Sequence, residues 1–269
     1  MTENNDIKFY ILKCITNLHV GSGDSGFSIV DKQVERDELT RYPMIYSSSL
    51  KGALREFLQR KNCSEVENIF GGEGNSEKAG KVKFLDAHLL ALPMRASKGQ
   101  ETSYMVTTKQ MLEHFISFLR LSGHTEDTGN IQLDQLSGKS QVLFKKEDGT
   151  IEVGGTQLDS QTSQCENLQN LLNKVGITSL ILLSDKDFKE CSLPVRARNN
   201  LNKEARNLWY EEHVPYNSIF YTMMMETGEE DSKEALTHLS EKIHKQKIQV
   251  GANASVGFGI VEFKKWGGK

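Results

Sequence analysis

The sequence predicts an α+β fold whose core runs β-α-β-β-α-β, the ferredoxin-like order, which is also the order of RRM modules. Three observations predict it. Runs rich in β-branched and aromatic residues lie at both ends of the chain. Two segments with apolar residues at helical spacing separate those runs. Glycine-rich loops follow the first run and interrupt the last.

The elements follow in order. Residues 7–20, IKFYILKCITNLHV, read as a long strand, and GSGDSG forms the loop after it. Residues 27–36, FSIVDKQVER, read as extended. Leu50, Ala53, Leu54, Phe57 and Leu58 then repeat at helical spacing, with Ser47, Ser48 or Ser49 as the N-cap. Residues 81–92 read as a strand. The middle of the chain, residues 93–178, is expected to be an insertion. It holds a helix near Thr107 to Leu121, a hairpin turning at Asp148-Gly149, and a helix near Asn167 to Val175. Residues 122–140 and 154–166 are polar and turn-rich. Residues 179–185 read as a strand, and 186–217 as a second insertion carrying a basic stretch. A strand at 218–226, an amphipathic helix at 232–245 through Leu236, Leu239 and Ile243, and two short strands around VGANASVGFG close the chain.

Composition bounds the function. The chain has 269 residues, 37% hydrophobic and 26% charged, as in an ordinary globular protein. No apolar run approaches the roughly 18 residues of a membrane span. The N-terminus lacks a basic region followed by an apolar one, so no secretory signal is expected and the protein reads as cytoplasmic. Cys14, Cys63, Cys165 and Cys191 form no CxxC pair and sit beside no histidine at ligand spacing, which argues against structural zinc and a disulfide framework. The net charge of −3 argues against a protein that coats polyanions with its whole surface. Nucleic acid would have to meet a local basic face. VRARNNLNKEAR (195–206) offers one, with Arg196, Arg198, Lys203 and Arg206 against only Glu204, while acid gathers at residues 226–234.

Four motifs carry possible chemistry. Gly21, Gly23 and Gly26 match GxGxxG, but a dinucleotide site needs that loop to open a helix, and Phe27 to Val30 favour a strand. The glycines fit a sharp turn or a close backbone approach to a ligand. Ser48 and Lys51 match SxxK, without the SDN and KTG elements of the serine–lysine hydrolases. Serines at a helix start with Lys51 and Arg55 one turn apart instead form a phosphate grip, or simply a capped helix with two solvated cations. Gly251, Gly257 and Gly259 make either a plain bulge or a loop of amide donors for phosphate. Asp31, with His19 on the other side of the first glycine loop, is a turn former or an acid that binds a metal or positions a nucleophile.

These pieces, in this order, resemble the RAMP superfamily of CRISPR proteins. The resemblance rests on LHVGSGDSGFSIVDKQVERD, SSSLKGALRE and QVGANASVGFG. YPMIYSSSLKGALRE, IFGG at 69–72, FLDAHLLALP and RARNNLNKEARNLWYEEHVPYNSIFY at 196–221 are similar to backbone subunits of type III-B CRISPR effectors. Only about residues 122–178 lack a match. The resemblance implies a single RAMP domain, with an RRM-like palm and an inserted thumb hairpin at 186–217. It implies copies stacked in a helix along a guide RNA, with other effector subunits and a single-stranded target RNA as partners and no membrane. It also implies cleavage of the target at regular intervals with Mg²⁺ or another divalent cation. Asp31 matches the catalytic and metal-binding acid, His19 a histidine of the same loop, and Glu211 a third member. Ser48, Lys51, Arg55, Arg196, Arg198, Arg206, Gly251, Asn253 and Gly257 would contact RNA. A non-catalytic scaffold of the same complex and a guide-processing RAMP endonuclease are the rival expectations.

Overall fold

The computed structural model describes residues 6–23, 29–73, 78–129, 131–136, 138–144, 149–159, 165–202 and 205–268. In chain order these residues form β1 (Ile7–Cys14), β2 (Met44–Ile45), α1 (Ser47–Arg60), α2 (Val66–Phe70), β3 (Val82–Phe84), β4 (Ala87–Lys98), β5 (Ser103–Thr108), α3 (Lys109–Leu121), α4 (Thr125–Thr128) and β6 (Gln141–Phe144). They continue as β7 (Thr150–Val153), β8 (Thr156–Asp159), α5 (Glu166–Asn173), β9 (Leu180–Leu183), α6 (Asp185–Glu190), β10 (Val195–Asn202), β11 (Ala205–Glu212), β12 (Ile219–Glu226), α7 (Ser232–Ile243), β13 (Gln246–Gln249) and β14 (Ile260–Lys265). No helix among the described residues is long and apolar enough to cross a membrane.

The chain divides into two compact units, Met1–His88 with Leu193–Lys269, and Leu89–Ser192. In the first, the strands run β13-β14-β1-β12-β3, every neighbouring pair antiparallel. With α1 after β1 and α7 after β12, this is the β-α-β-β-α-β arrangement. Helix α1 packs on β3 and β13, and α7 on β12, β3 and β14. Their apolar stripes explain this. Leu50, Leu54 and Leu58 are fully buried on α1, as are Leu236, Leu239 and Ile243 on α7. Phe9 of β1 stacks on Tyr221 of β12, ring centroids 5.9 Å apart. The basic stretch forms a hairpin, with β10 and β11 in register from Val195↔Glu212 to Asn202↔Ala205.

Local details of this unit depart from the sequence reading. Strand β1 ends at Cys14, because the N–H groups of Ile15 and Thr16 both turn to the carbonyl of Ile260, at 2.8 and 3.3 Å. Residues 29–36 make isolated bridges, Gly21↔Val34, Lys32↔Glu211 and Arg36↔Pro43, instead of a strand. The expected strand at 81–92 is broken between β3 and β4. No serine caps α1. Tyr46 is the N-cap residue, and the orphan N–H groups there are met by carboxylates from elsewhere. Asp86 Oδ1 accepts from Ser47 N at 2.6 Å, and Glu35 Oε2 from Tyr46 N at 3.0 Å.

In the second unit, β5 pairs with β4 antiparallel and with β9 parallel, and β6 pairs with β9. Met111, Leu112, Phe115, Ile116 and Leu119 of α3 are buried, and the Thr108 hydroxyl caps this helix by accepting from Met111 N at 3.2 Å. The hairpin here is β7–β8, not the one expected to turn at Gly149. Gly154 and Gly155, with φ of +59° and +82°, supply both left-handed positions of its two-residue turn. Strand β6 goes to β9 instead, and Asp148 lies outside the described residues.

Candidate functional site

Three segments of the first unit meet around His19: the loop after β1, the base of the β10–β11 hairpin, and the glycine loop between β13 and β14. Leu18 and Val214 exchange backbone hydrogen bonds at 2.9 and 2.8 Å, which brings the hairpin exit beside His19. Ala252 N donates to the His19 carbonyl at 2.9 Å. Gly251 permits this approach. Its φ is +74°, and a β-carbon there would collide with the His19 carbonyl oxygen. Asn253, also left-handed at φ +65°, turns its side chain back toward the hairpin.

His19 is 4% exposed. Its Nδ1 lies 2.7 Å from the carbonyl oxygen of Glu212. A carbonyl only accepts, so this contact makes Nδ1 an N–H donor. Nε2 faces Gly21, where a β-carbon would come within 3.1 Å of it. Glu211 is 2% exposed and surrounded by donors. The Asn253 side-chain amide donates to Oε1, His19 Nδ1 is 3.6 Å from the same oxygen, and Arg198 Nε is 3.4 Å from Oε2. The buried carboxylate is thus paired, as its desolvation requires.

Asp31 is exposed, with Oδ2 accepting the Tyr210 N–H at 2.7 Å. The chain on either side of this contact is docked on β11. Lys32 N donates to Tyr210 O at 3.1 Å and Glu212 N to Lys32 O at 2.9 Å, while Lys32 Nζ sits 5.2 Å from the centre of the Trp209 ring.

Arg196 and Arg198, two apart on β10, project from one face of the hairpin. Both lie over the Phe258 ring, with guanidinium carbons 5.3 and 4.9 Å from its centre. Arg196 is exposed and Arg198 half-buried. His213 meets the same ring edge-on at 5.6 Å. Burial pushes its imidazole down to about 4, and Arg196 and Arg198 push the same way, so it is neutral at neutral pH.

The remaining residues singled out from sequence are elsewhere or otherwise engaged. Ser48 is exposed and Lys51 half-buried in the first turns of α1. That helix end is tied to the loop through Glu35, whose burial raises its carboxyl above the ordinary range. Arg55 points to the end of α2, donating to the carbonyls of Phe70 and Gly71 at 3.0 and 2.9 Å and pairing with Glu73 at 3.1 Å. Gly257, at φ +79°, closes a turn with open space around it. The side chain of Arg206 lies outside the described residues. Sequence reasoning passed over Glu212, His213 and Phe258. Only their adjacency to Glu211 and to the glycine loop could have flagged them.

Among the described residues, no group of three or more His, Cys, Asp or Glu side chains could hold a metal ion. A hard cation of the Mg²⁺ kind binds through one or two carboxylates and takes its other ligands from phosphate and water. Asp31, an exposed carboxylate held by a backbone donor, fits that kind of site.

A family model described as the RAMP superfamily matches residues 11–262. The CRISPR system CMR subunit Cmr4 of Saccharolobus solfataricus is 29% identical, with 98% of each chain covered. The CRISPR system Cmr endoribonuclease Cmr4 of Pyrococcus furiosus is 28% identical over 93% of this chain and 92% of that protein. Among solved structures, a chain of the type III-B Cmr-beta complex bound to cognate target RNA superposes with a TM-score of 0.76 at 25% identity, covering 96% of each chain.

Proposed function

The chain belongs to the RAMP superfamily, and we propose that it is a guide-RNA-binding backbone subunit of a type III-B CRISPR effector that cuts complementary target RNA. In this reading the first unit is the RRM-like palm and β10–β11 the thumb hairpin. Copies stack along the guide beside the other effector subunits. Near end-to-end similarity to two Cmr4 proteins, one of them named an endoribonuclease, supports the assembly and the activity. The observation that carries the reading is Asp31, exposed and held on the edge of β11 by the Tyr210 N–H.

RNA brings its own nucleophile, the 2′-hydroxyl next to the bond that breaks. The protein must hold that hydroxyl in line with the phosphate and stabilise the charge that develops. Asp31 is the residue that would hold the divalent cation, which supplies Lewis-acid stabilisation of the phosphate oxygens. The Tyr210 N–H fixes the orientation of that carboxylate. Arg196, the exposed one of the pair, meets the RNA backbone, and Ser48 and Lys51 meet guide phosphates at the start of α1. Glu211 is too buried to touch RNA and acts through Arg198 and His19. Asn253 holds Glu211 from the glycine loop.

The test is a target carrying single 2′-deoxy nucleotides at the cut positions. Assembled complex is expected to bind it like all-RNA target and leave it uncut at those positions. Cutting at the all-RNA rate would remove the 2′-hydroxyl from the mechanism.

A further inference from the structure

Glu212 connects the other candidates, and none of the comparisons assigns it a role. It is 8% exposed, and each of its polar groups is used. Its carbonyl takes the His19 Nδ1 proton at 2.7 Å. Its N–H donates to the Lys32 carbonyl at 2.9 Å. Carboxylate Oε2 accepts the Val34 N–H at 3.2 Å, and Oε1 accepts from Arg36 Nη2 at 2.6 Å. Asp31 stands at the head of the segment 31–36 that these contacts clamp. Backbone bonds of Lys32 to Tyr210 and Glu212 dock the head of the segment on β11, and the Glu212 carboxylate anchors it further along, at Val34 and Arg36.

We infer that the Glu212–Arg36 pair is the positioning device of the cutting site: the Glu212 carboxylate pins the Asp31 segment to β11, while its carbonyl fixes the His19 tautomer. The inference rests on the reading of Asp31 as the catalytic acid. The two roles separate cleanly under mutation. A side-chain substitution leaves the carbonyl in place, so it loosens Asp31 and spares the tautomer. Arg36 keeps 22% of its side-chain surface and also donates to the Arg41 carbonyl at 3.1 Å, so it is a clamp at the rim and not a core residue. A group that acts by orienting a metal-holding carboxylate typically changes metal affinity or activity about 10- to 100-fold when removed.

The experiment uses the complex assembled with full-length chain carrying Glu212→Ala, Glu212→Gln, Glu212→Arg, Arg36→Glu, or the Arg36→Glu/Glu212→Arg exchange. Single-turnover cutting, target affinity and the divalent concentration for half-maximal cutting are measured. Glu212→Ala is expected to slow cutting about 10- to 100-fold and raise the divalent requirement, with target affinity within about three-fold of wild type. Glu212→Gln, which keeps an acceptor for Val34, is expected to lose less. The exchange is expected to recover at least about ten-fold over the slower single reversal. Unimpaired cutting by Glu212→Ala would overturn the inference. So would a loss of assembly and target binding that accounts for the whole loss of cutting, with no recovery in the exchange. If Asp31→Asn abolishes cutting while Glu212→Ala does not, the inference fails and the function stands; if Asp31→Asn cuts normally, the function itself fails.

Discussion

Asp31→Asn is expected to lower target cutting about 10³-fold while leaving assembly and target affinity within a few-fold of wild type. The substitution keeps the shape of the side chain and an oxygen that can still accept the Tyr210 N–H, so the loop remains docked. What disappears is the negative charge, and with it the affinity for a hard cation. A positioned acid or base contributes roughly 10²- to 10⁴-fold, and loss of the charge should cost in that range. Asp31 is exposed, so the variant should unfold at nearly the wild-type temperature. Single-turnover cutting by assembled complexes, with thermal unfolding beside it, checks both halves. A cutting rate unchanged by Asp31→Asn would leave the chain a scaffold.

Glu211→Gln is expected to act in the opposite way, through stability. Glu211 is 2% exposed, and the groups aimed at it are donors, the Asn253 amide and the Arg198 guanidinium, with His19 Nδ1 3.6 Å away. A glutamine there keeps one acceptor oxygen and sets an NH₂ against the others. It also strands the charge of Arg198, whose Nε and Nη2 atoms are buried without hydrogen-bond partners. Breaking a buried pair from one side costs about 2–4 kcal/mol here, after allowing for the 21% of the Arg198 side chain that solvent reaches. The unfolding midpoint should fall by roughly 5–15 °C. Asn253→Ala should fall in the same direction by less. A midpoint unchanged in Glu211→Gln would mean that the carboxylate is not the anchor of the hairpin base.

The residues that sequence placed well are those whose signal is local. Leu50, Leu54 and Leu58 announce α1 by spacing alone, and Leu236, Leu239 and Ile243 do the same for α7. The hairpin at 195–212 was legible as a polar, basic insertion between apolar strands. Long-range polar contacts were not legible. The α1 cap was assigned to a neighbouring serine because local chemistry favours serine there, yet Asp86, 39 positions away, supplies the acceptor. Glu212 satisfies Val34 across 178 positions, and no pattern in either segment signals it. In the second unit the two longer helices and the strand at 180–183 were legible, whereas the hairpin was misplaced for a related reason. Strands β6 and β9 are four residues each, and their pairing depends on partners elsewhere in the chain. In the site, Asp31 and His19 came from the resemblance, whereas the burial that separates Glu211 from the exposed Asp31 required the fold.

The chemistry of the cut ends tests the central claim most directly. Attack by the 2′-hydroxyl on the adjacent phosphate expels the 5′-oxygen of the next nucleotide. It must leave a 2′,3′-cyclic phosphate on one fragment and a 5′-hydroxyl on the other. Mass spectrometry of target fragments from complex assembled with wild-type chain should show those ends, and complex with Asp31→Asn should show intact target. Fragments ending in 3′-hydroxyl and 5′-phosphate would contradict the account, because water and not the RNA's own hydroxyl would then be the nucleophile.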